Sequence, residues 1–155
     1  MLVFGDSISY GANSSGCKDV NCSPWMPIYP ELFASGIERE YGCKINLTNA
    51  SVGGTDVRWG AGEINRVLSE QNGLDLAVIA FGMNDISLSP NEFVETLVRI
   101  ISSINGVYPE ADVMIVATTV PHNAFEWVYK QQPEFWREMI KSEKEGVALV
   151  NMTLV

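Results

Sequence analysis

Residues 74–85, Leu-Asp-Leu-Ala-Val-Ile-Ala-Phe-Gly-Met-Asn-Asp, decide the fold class of this chain. Residues 74–81 are almost entirely apolar. A run of that length and composition is typical of a central parallel strand that is covered on both faces. The run ends at Gly82, and the polar residues Asn84 and Asp85 follow. This order predicts a site at the carboxyl edge of a parallel sheet.

Along the rest of the chain, strand-like apolar runs alternate with amphipathic helical stretches. The other predicted strands cover residues 1–5, 44–47, 111–120 and 147–152, and the predicted helices cover about 30–41, 61–71 and 134–145. A further helix begins at Ser89-Pro90-Asn91-Glu92, which has the pattern of a capping box with proline in the first turn. The alternation predicts an α/β fold, a three-layer α/β/α sandwich with a flavodoxin-like, mainly parallel five-stranded sheet.

Size and charge limit the classes of protein and partner. The 155 residues fit a single domain, 1–155, and no apolar run approaches the roughly 20 residues of a membrane helix. The formal net charge of -9 disfavours nucleic acid and anionic membranes as partners. Because Met1 leads almost directly into the first strand, no secretory leader is expected. A cytoplasmic location and export after removal of a leader both stay open.

Three short motifs follow the ends of successive predicted strands. They are Gly5-Asp6-Ser7, the loop 49–55 with Gly53-Gly54, and Gly82-Met83-Asn84-Asp85. A serine on a tight turn can act as a nucleophile, paired glycines let an amide approach a ligand, and an asparagine can donate to a developing negative charge. Each motif alone is also compatible with an ordinary turn, loop or helix cap.

Together and in this order, the three motifs resemble those of the SGNH hydrolase family, also called GDSL-type esterases. The resemblance extends over essentially the whole chain. It implies a serine esterase in which Ser7 attacks the ester carbonyl, and in which the Ser7 and Gly54 amides and the Asn84 carboxamide stabilise the oxyanion. It implies no metal and no cofactor. Asp6 and Asp85 are expected to organise the turn and to anchor a backbone group, respectively.

One part of the family pattern is missing. The family carries its catalytic acid and histidine in an Asp-x-x-His block after the fifth strand, and no such tetrapeptide occurs in this sequence. We therefore expect the chain to be truncated before that block and to be nearly inactive as it stands. The one histidine, His122, is expected to line the substrate cleft, although a role as the base stays open. A missing segment would leave apolar surface uncovered, so association into a homo-oligomer is expected.

Aromatic residues and cysteines leave further alternatives open. Trp25, in the long loop after Ser7, is expected to form a wall of the substrate cleft, which favours O-acetylated carbohydrates over other small esters or lysophospholipids. Cys17 and Cys22 could pair if the protein is exported, but free thiols are the preferred interpretation for all three cysteines.

Two alternative functions compete with the esterase hypothesis. A non-catalytic SGNH-like domain that binds a ligand would keep the oxyanion site without a histidine. A flavodoxin-like nucleotide-binding protein is disfavoured, because the chain lacks a Gly-x-Gly-x-x-Gly phosphate loop.

Overall fold

The strands form one parallel sheet in the order β2-β1-β3-β4-β5. The computed structural model describes residues 1–12, 14, 26–85, 87–117 and 147–151. The elements in these ranges are β1 (Leu2–Gly5), α1 (Ser7–Tyr10), α2 (Tyr29–Tyr41), β2 (Thr48–Asn49), α3 (Val57–Ser69), β3 (Leu76–Ala80), α4 (Pro90–Val107), β4 (Asp112–Ala117) and β5 (Val147–Asn151). The parallel sheet with helices beside it confirms the predicted α/β class.

The central position of β1 brings three strand ends together. Leu2 pairs with Thr48 of β2 on one side and with Ala77 of β3 on the other. Because all three strands run in the same direction, the segments that follow them emerge at one edge of the sheet. The serine, glycine and asparagine motifs occupy these three segments.

Alternating side chains of the strands supply two separate hydrophobic cores. Leu2 and Phe4 of β1 belong to a core that also contains buried residues of α3 and α4. Val3 lies on the opposite face, in a core with Ala34 of α2 and Val78 of β3. This alternation is what a sheet covered by helices on both faces requires, and it makes the fold a three-layer sandwich.

The α3 helix begins four residues before its predicted start near residue 61. The Asp56 carboxylate accepts the N–H of Trp59 at 2.8 Å and caps the helix, and the helix then covers Val57–Ser69. The predicted start of α4 is confirmed, because Ser89 and Glu92 form a complete capping box. The N-cap of α3, Asp56, follows the glycine loop 49–55 directly in sequence, so the helix begins without a linker.

The strand predicted for residues 44–47 is wrong, because β2 covers Thr48–Asn49 instead. Ile45 and Leu47 are apolar because they pack against the core beneath α2. The N–H of Ile45 is bound by the Glu38 carboxylate at 2.9 Å, outside any strand ladder.

Several predictions fall outside the described residues. They are the helix 134–145, the ends of the last two strands, and most of the loop after Ser7. No helix in the described ranges is long and apolar enough to cross a membrane.

Candidate active site

The first strand leads into a tight turn that places Ser7 at the beginning of α1. Asp6 caps this short helix by accepting the N–H of Ile8 at 2.9 Å, and Gly11 ends it with φ of 84°. A Cβ on Gly5 would lie 2.3 Å from the carbonyl oxygen of Ala80, so only glycine fits where the chain passes β3. Ser7 itself is half-buried. The turn thus presents the serine at the carboxyl edge of β1.

Polar contacts of Ser9 connect this turn to α2 and to β2. The Ser9 hydroxyl is fully buried and lies 2.7 Å from the Tyr29 hydroxyl of α2. The Asn49 carboxamide donates to the carbonyl of Ser9 at 2.8 Å and accepts the N–H of Ser51 at 3.1 Å. The role of Tyr29 has no local signal in the sequence, because the contact spans 20 residues.

The glycine loop lies directly beside the nucleophile turn. The N–H of Val52 donates to the carbonyl of Gly5 at 3.1 Å, which continues the pairing with β1 past the end of β2. A Cβ built on Gly53 would lie 3.8 Å from Cβ of Ser7. An added methyl group would be in van der Waals contact with Ser7, so Gly53 lies beside the serine side chain.

Gly54 occupies the tip of this loop in a conformation that favours glycine. Its φ is 79°, and the residue is exposed. The hydroxyl of Thr55 donates to the carbonyl of Val52 at 2.7 Å and closes the turn around Gly53 and Gly54. The sequence prediction that paired glycines let the backbone approach a ligand stays a prediction.

Asn84 joins the same group from the third strand end. Its Nδ2 donates to the carbonyl of Thr55 at 2.8 Å, and the residue is half-buried. The structure therefore brings Ser7, the Gly53–Thr55 turn and Asn84 together at one edge of the sheet. A carboxamide has two N–H donors, and this bond occupies one of them.

Two buried carboxylates tie the motifs to one another. Asp85 accepts the N–H of Val57 at 2.8 Å, which confirms the predicted backbone anchor, and Asp6 confirms its role in the turn. Among the described residues, neither Oδ2 atom of these two carboxylates has a hydrogen-bond partner.

Burial changes the acidity of both carboxylates. Desolvation raises the pKa of Asp85 from 3.8 to about 6, helped by the negative charges of Asp56 and Asp6, while the N–H of Val57 opposes the change. Burial also raises the pKa of Asp6, against the lowering effect of the Ile8 and Met83 amides. Both acids thus interact with main-chain groups of the site, and neither has the hydrogen bonds that would fully compensate its burial.

Not all of the residues predicted from the sequence fall within the described ranges. Trp25, His122, Cys17 and Cys22 lie outside the described residues. Cys43 is exposed and free. No group of three or more side chains able to hold a metal ion occurs within the described part of the chain.

The parallel sandwich and the serine, glycine and asparagine loops at its carboxyl edge define the chain as an α/β protein of the SGNH-hydrolase type. More specifically, the sequence profile of the GDSL-like Lipase/Acylhydrolase family matches residues 3–153, and the chain belongs to this hydrolase family. A search of curated protein sequences gave no significant match.

Solved structures of esterases and lipases share the fold. AlinE4, an SGNH-hydrolase family esterase, superposes with a TM-score of 0.66 at 23% identity, over 96% of this chain and 73% of its own. The lipase Lip_vut3 from a goat rumen metagenome gives a TM-score of 0.77 at 12% identity, over 98% and 80% of the two chains. The esterase EstA from Pseudoalteromonas sp., described as inhibited by monoethylphosphonate, gives 0.71 at 15% identity, over 97% and 75%. At these identities the similarity establishes the fold alone.

Proposed function

We propose that the protein is a serine esterase that hydrolyses small esters, with Ser7 as the nucleophile. One observation carries the proposal: Ser7 lies beside Gly53, in a loop whose Thr55 carbonyl is bound by Asn84. A hydroxyl, a glycine loop and a carboxamide around one point match the requirements of acyl transfer. Membership of a hydrolase family supports the same reaction class.

The proposed reaction begins with attack of the Ser7 hydroxyl on the ester carbonyl. Negative charge then develops on the carbonyl oxygen. Ser7 is the first residue of α1, so its N–H has no partner within the helix and is available as a donor. The Gly54 amide and the second N–H of the Asn84 carboxamide complete the proposed oxyanion site. A donor of this kind lowers the barrier by about 3 kcal/mol in comparable enzymes.

The proton of Ser7 must pass to a base and then to the leaving alcohol. No Asp-x-x-His occurs among the 155 residues, and His122 is the single histidine. Because loss of the base removes most of the rate of a serine hydrolase, we expect these residues alone to hydrolyse esters very slowly. A form of the protein that includes an Asp-x-x-His pair would have the complete machinery.

For the substrate we propose O-acetyl groups on carbohydrates. The proposal rests on the sequence prediction that Trp25 belongs to a long loop after Ser7, where an aromatic face could stack on a sugar ring. Small acetyl esters without a sugar would be hydrolysed by the same residues. Release of acetate from acetylated xylan, relative to p-nitrophenyl acetate, measures this preference. Equal loss of both activities in Trp25→Ala would contradict a specific role in binding the sugar.

A non-catalytic SGNH-like domain that binds a ligand is the second candidate, because the residues present supply the serine, glycine and asparagine site without an Asp-x-x-His pair. Such a domain would keep the serine, glycine and asparagine site but would show no turnover. Hydrolysis of p-nitrophenyl acetate separates the two functions.

The assay uses the protein expressed from its whole reading frame, with Ser7→Ala as the test variant. Removal of the nucleophile is expected to lower kcat by about 10⁴-fold or more. The matched control is Ser69→Ala, which removes an exposed hydroxyl at the far end of α3, and its kcat is expected to stay within about twofold of the wild type. Wild-type activity in Ser7→Ala would exclude Ser7 as the nucleophile, and a folded but inactive wild type would favour the binding domain.

A further inference from the structure

Asn84 and Asp85, two consecutive residues, bind the main chain on either side of Asp56. Asn84 donates to the carbonyl of Thr55 at 2.8 Å. Asp85 accepts the N–H of Val57 at 2.8 Å. The two bonds thus hold the segment that joins the glycine loop to α3, and both come from one segment after β3.

The bond to Val57 lies at the fixed end of the glycine loop. Val57 is completely buried in the core beneath α3 and α4, so the first residue of α3 is held firmly. Its N–H belongs to the first turn of the helix, where it has no partner within the helix. The Asp85 carboxylate supplies that partner inside the protein, where water is excluded.

The other end of the loop lies against the nucleophile. A Cβ on Gly53 would lie 3.8 Å from Cβ of Ser7, so Gly53 lies beside the nucleophile, and Gly54 and Thr55 lie between it and the start of α3. A shift at Val57 would therefore move Thr55 and Gly54, and through the Thr55 carbonyl it would also turn the Asn84 carboxamide. Since a misplacement of roughly 1 Å can reduce a rate by about 10²-fold, the reaction rate should depend strongly on the position of Val57.

The burial of Asp85 argues for a specific use of its carboxylate. Only 7% of the residue is exposed, and within the described residues its Oδ2 atom has no hydrogen bond. Burying a carboxylate with one unpartnered oxygen costs free energy that burying an apolar side chain of similar size does not. Its hydrogen bond to Val57 holds the residue at which the glycine loop joins α3. An apolar side chain could fill the same volume but could not form this bond.

We infer that Asp85 is a positioning residue: by binding the N–H of Val57 it holds the Gly54 amide and the Asn84 carboxamide in register with Ser7. The inference rests on the proposed esterase function. Asp85 does not contact the substrate and transfers no proton. Its contribution requires a hydrogen-bond acceptor at the Oδ1 position and does not require a charge.

Two substitutions of Asp85 separate this role from others. Asp85→Asn keeps an acceptor oxygen in the same place and removes the charge, so its kcat is expected to stay within about threefold of the wild type. Asp85→Ala removes the acceptor, and its kcat is expected to fall by about 10- to 100-fold with KM within about threefold. The readout is steady-state hydrolysis of p-nitrophenyl acetate by the whole protein, with the folded fraction measured by thermal melting.

A matched control shows whether loss of stability alone lowers the rate. Tyr108→Phe removes a hydrogen bond to the carbonyl of Gln71 at 2.9 Å, just after the other end of α3. This variant is expected to melt earlier than the wild type and to keep its kcat per folded molecule. Should Asp85→Ala fail to fold, Asp85→Leu removes both the acceptor and the buried charge and is expected to show the same loss of kcat.

The outcomes distinguish this inference from the function on which it depends. Wild-type kcat in folded Asp85→Ala or Asp85→Leu would overturn the positioning role, and so would a loss in Asp85→Asn as large as that in Asp85→Ala. In either case an inactive Ser7→Ala would leave the esterase function standing. If Ser7→Ala kept full activity, the esterase proposal itself would fail, whatever the Asp85 variants did.

Discussion

Nδ2 of Asn84 donates a 2.8 Å hydrogen bond to the carbonyl oxygen of Thr55, which lies 29 residues earlier in the chain. The bond fixes the plane of the carboxamide, because rotation about its terminal torsion would break it. The remaining N–H of the same nitrogen is then held in one direction. A donor oriented before substrate binds needs no reorganisation during the reaction, which is the condition for strong stabilisation of an oxyanion.

Removing the Asn84 carboxamide should therefore lower the rate more than the affinity. For Asn84→Ala we expect kcat to fall by about 10²- to 10³-fold with a small change in KM, because the donor acts mainly in the transition state. Steady-state kinetics with p-nitrophenyl acetate provide the measurement. Asn72→Ala, an exposed asparagine after α3, is the control. A fall in kcat below about threefold would remove Asn84 from the proposed oxyanion site.

Two glycines of α3 provide a matched test of the packing between this helix and the sheet. A Cβ on Gly60 would lie 2.7 Å from the ring of Phe81, whereas one on Gly62 meets none of the described atoms within 4 Å. Gly60→Ala is expected to destabilise the protein by about 1–3 kcal/mol through overpacking. Gly62→Ala should stabilise it by about 0.5–1 kcal/mol, because alanine favours the helix. Urea unfolding of both variants measures the difference, and equal effects would contradict the described contact.

Asp85 should make stability depend on pH in a recognisable direction. Burial raises its pKa from 3.8 to about 6 in the folded protein. Between these values the unfolded chain releases the proton while the folded chain retains it, so the contribution of Asp85 to stability falls as pH rises. It is fully present below about pH 4 and is lost as pH passes through about 6.

The measurement compares the free energy of unfolding of the wild type and Asp85→Asn from pH 4 to 8, by urea denaturation. Asparagine does not titrate, so the variant should gain stability relative to the wild type as pH rises through this window. Subtracting the two curves cancels the carboxylates that do not interact with Asp85, so the difference reports Asp85 together with its charge interactions with Asp6 and Asp56. A difference that stayed constant with pH, or changed in the opposite direction, would show that the pKa of Asp85 is not raised.

Much of the fold could be predicted because its signals are local. The apolar run 74–81 contains β3, and Ser89 with Glu92 marks the start of α4 within four residues of sequence. The strand predicted at residues 44–47 was wrong for an equally physical reason. Apolar residues at that position pack against a core beside α2, and periodicity does not distinguish such packing from a strand.

The candidate site also has a part that could be predicted from the sequence and a part that could not. The positions of Ser7, Gly54 and Asn84 follow from motifs at strand ends, and their proposed roles stay predictions. The bonds that connect the motifs could not be predicted, because Asn84 to Thr55 and Asp85 to Val57 join residues that lie 29 and 28 positions apart. Only the packing of α3 against the sheet brings these partners together. A short motif defines which groups are available but not which main-chain atoms they bind.

Covalent labelling tests most directly whether Ser7 is the nucleophile. The whole protein is treated with an activated alkyl phosphonate ester, a reagent that phosphonylates the hydroxyl of an active serine hydrolase, and the modified peptide is identified by mass spectrometry. We predict one adduct, on Ser7, formed in parallel with loss of p-nitrophenyl acetate hydrolysis and absent from Ser7→Ala. An adduct on another residue that accompanied the loss of activity, or labelling of Ser7 with full activity retained, would contradict it.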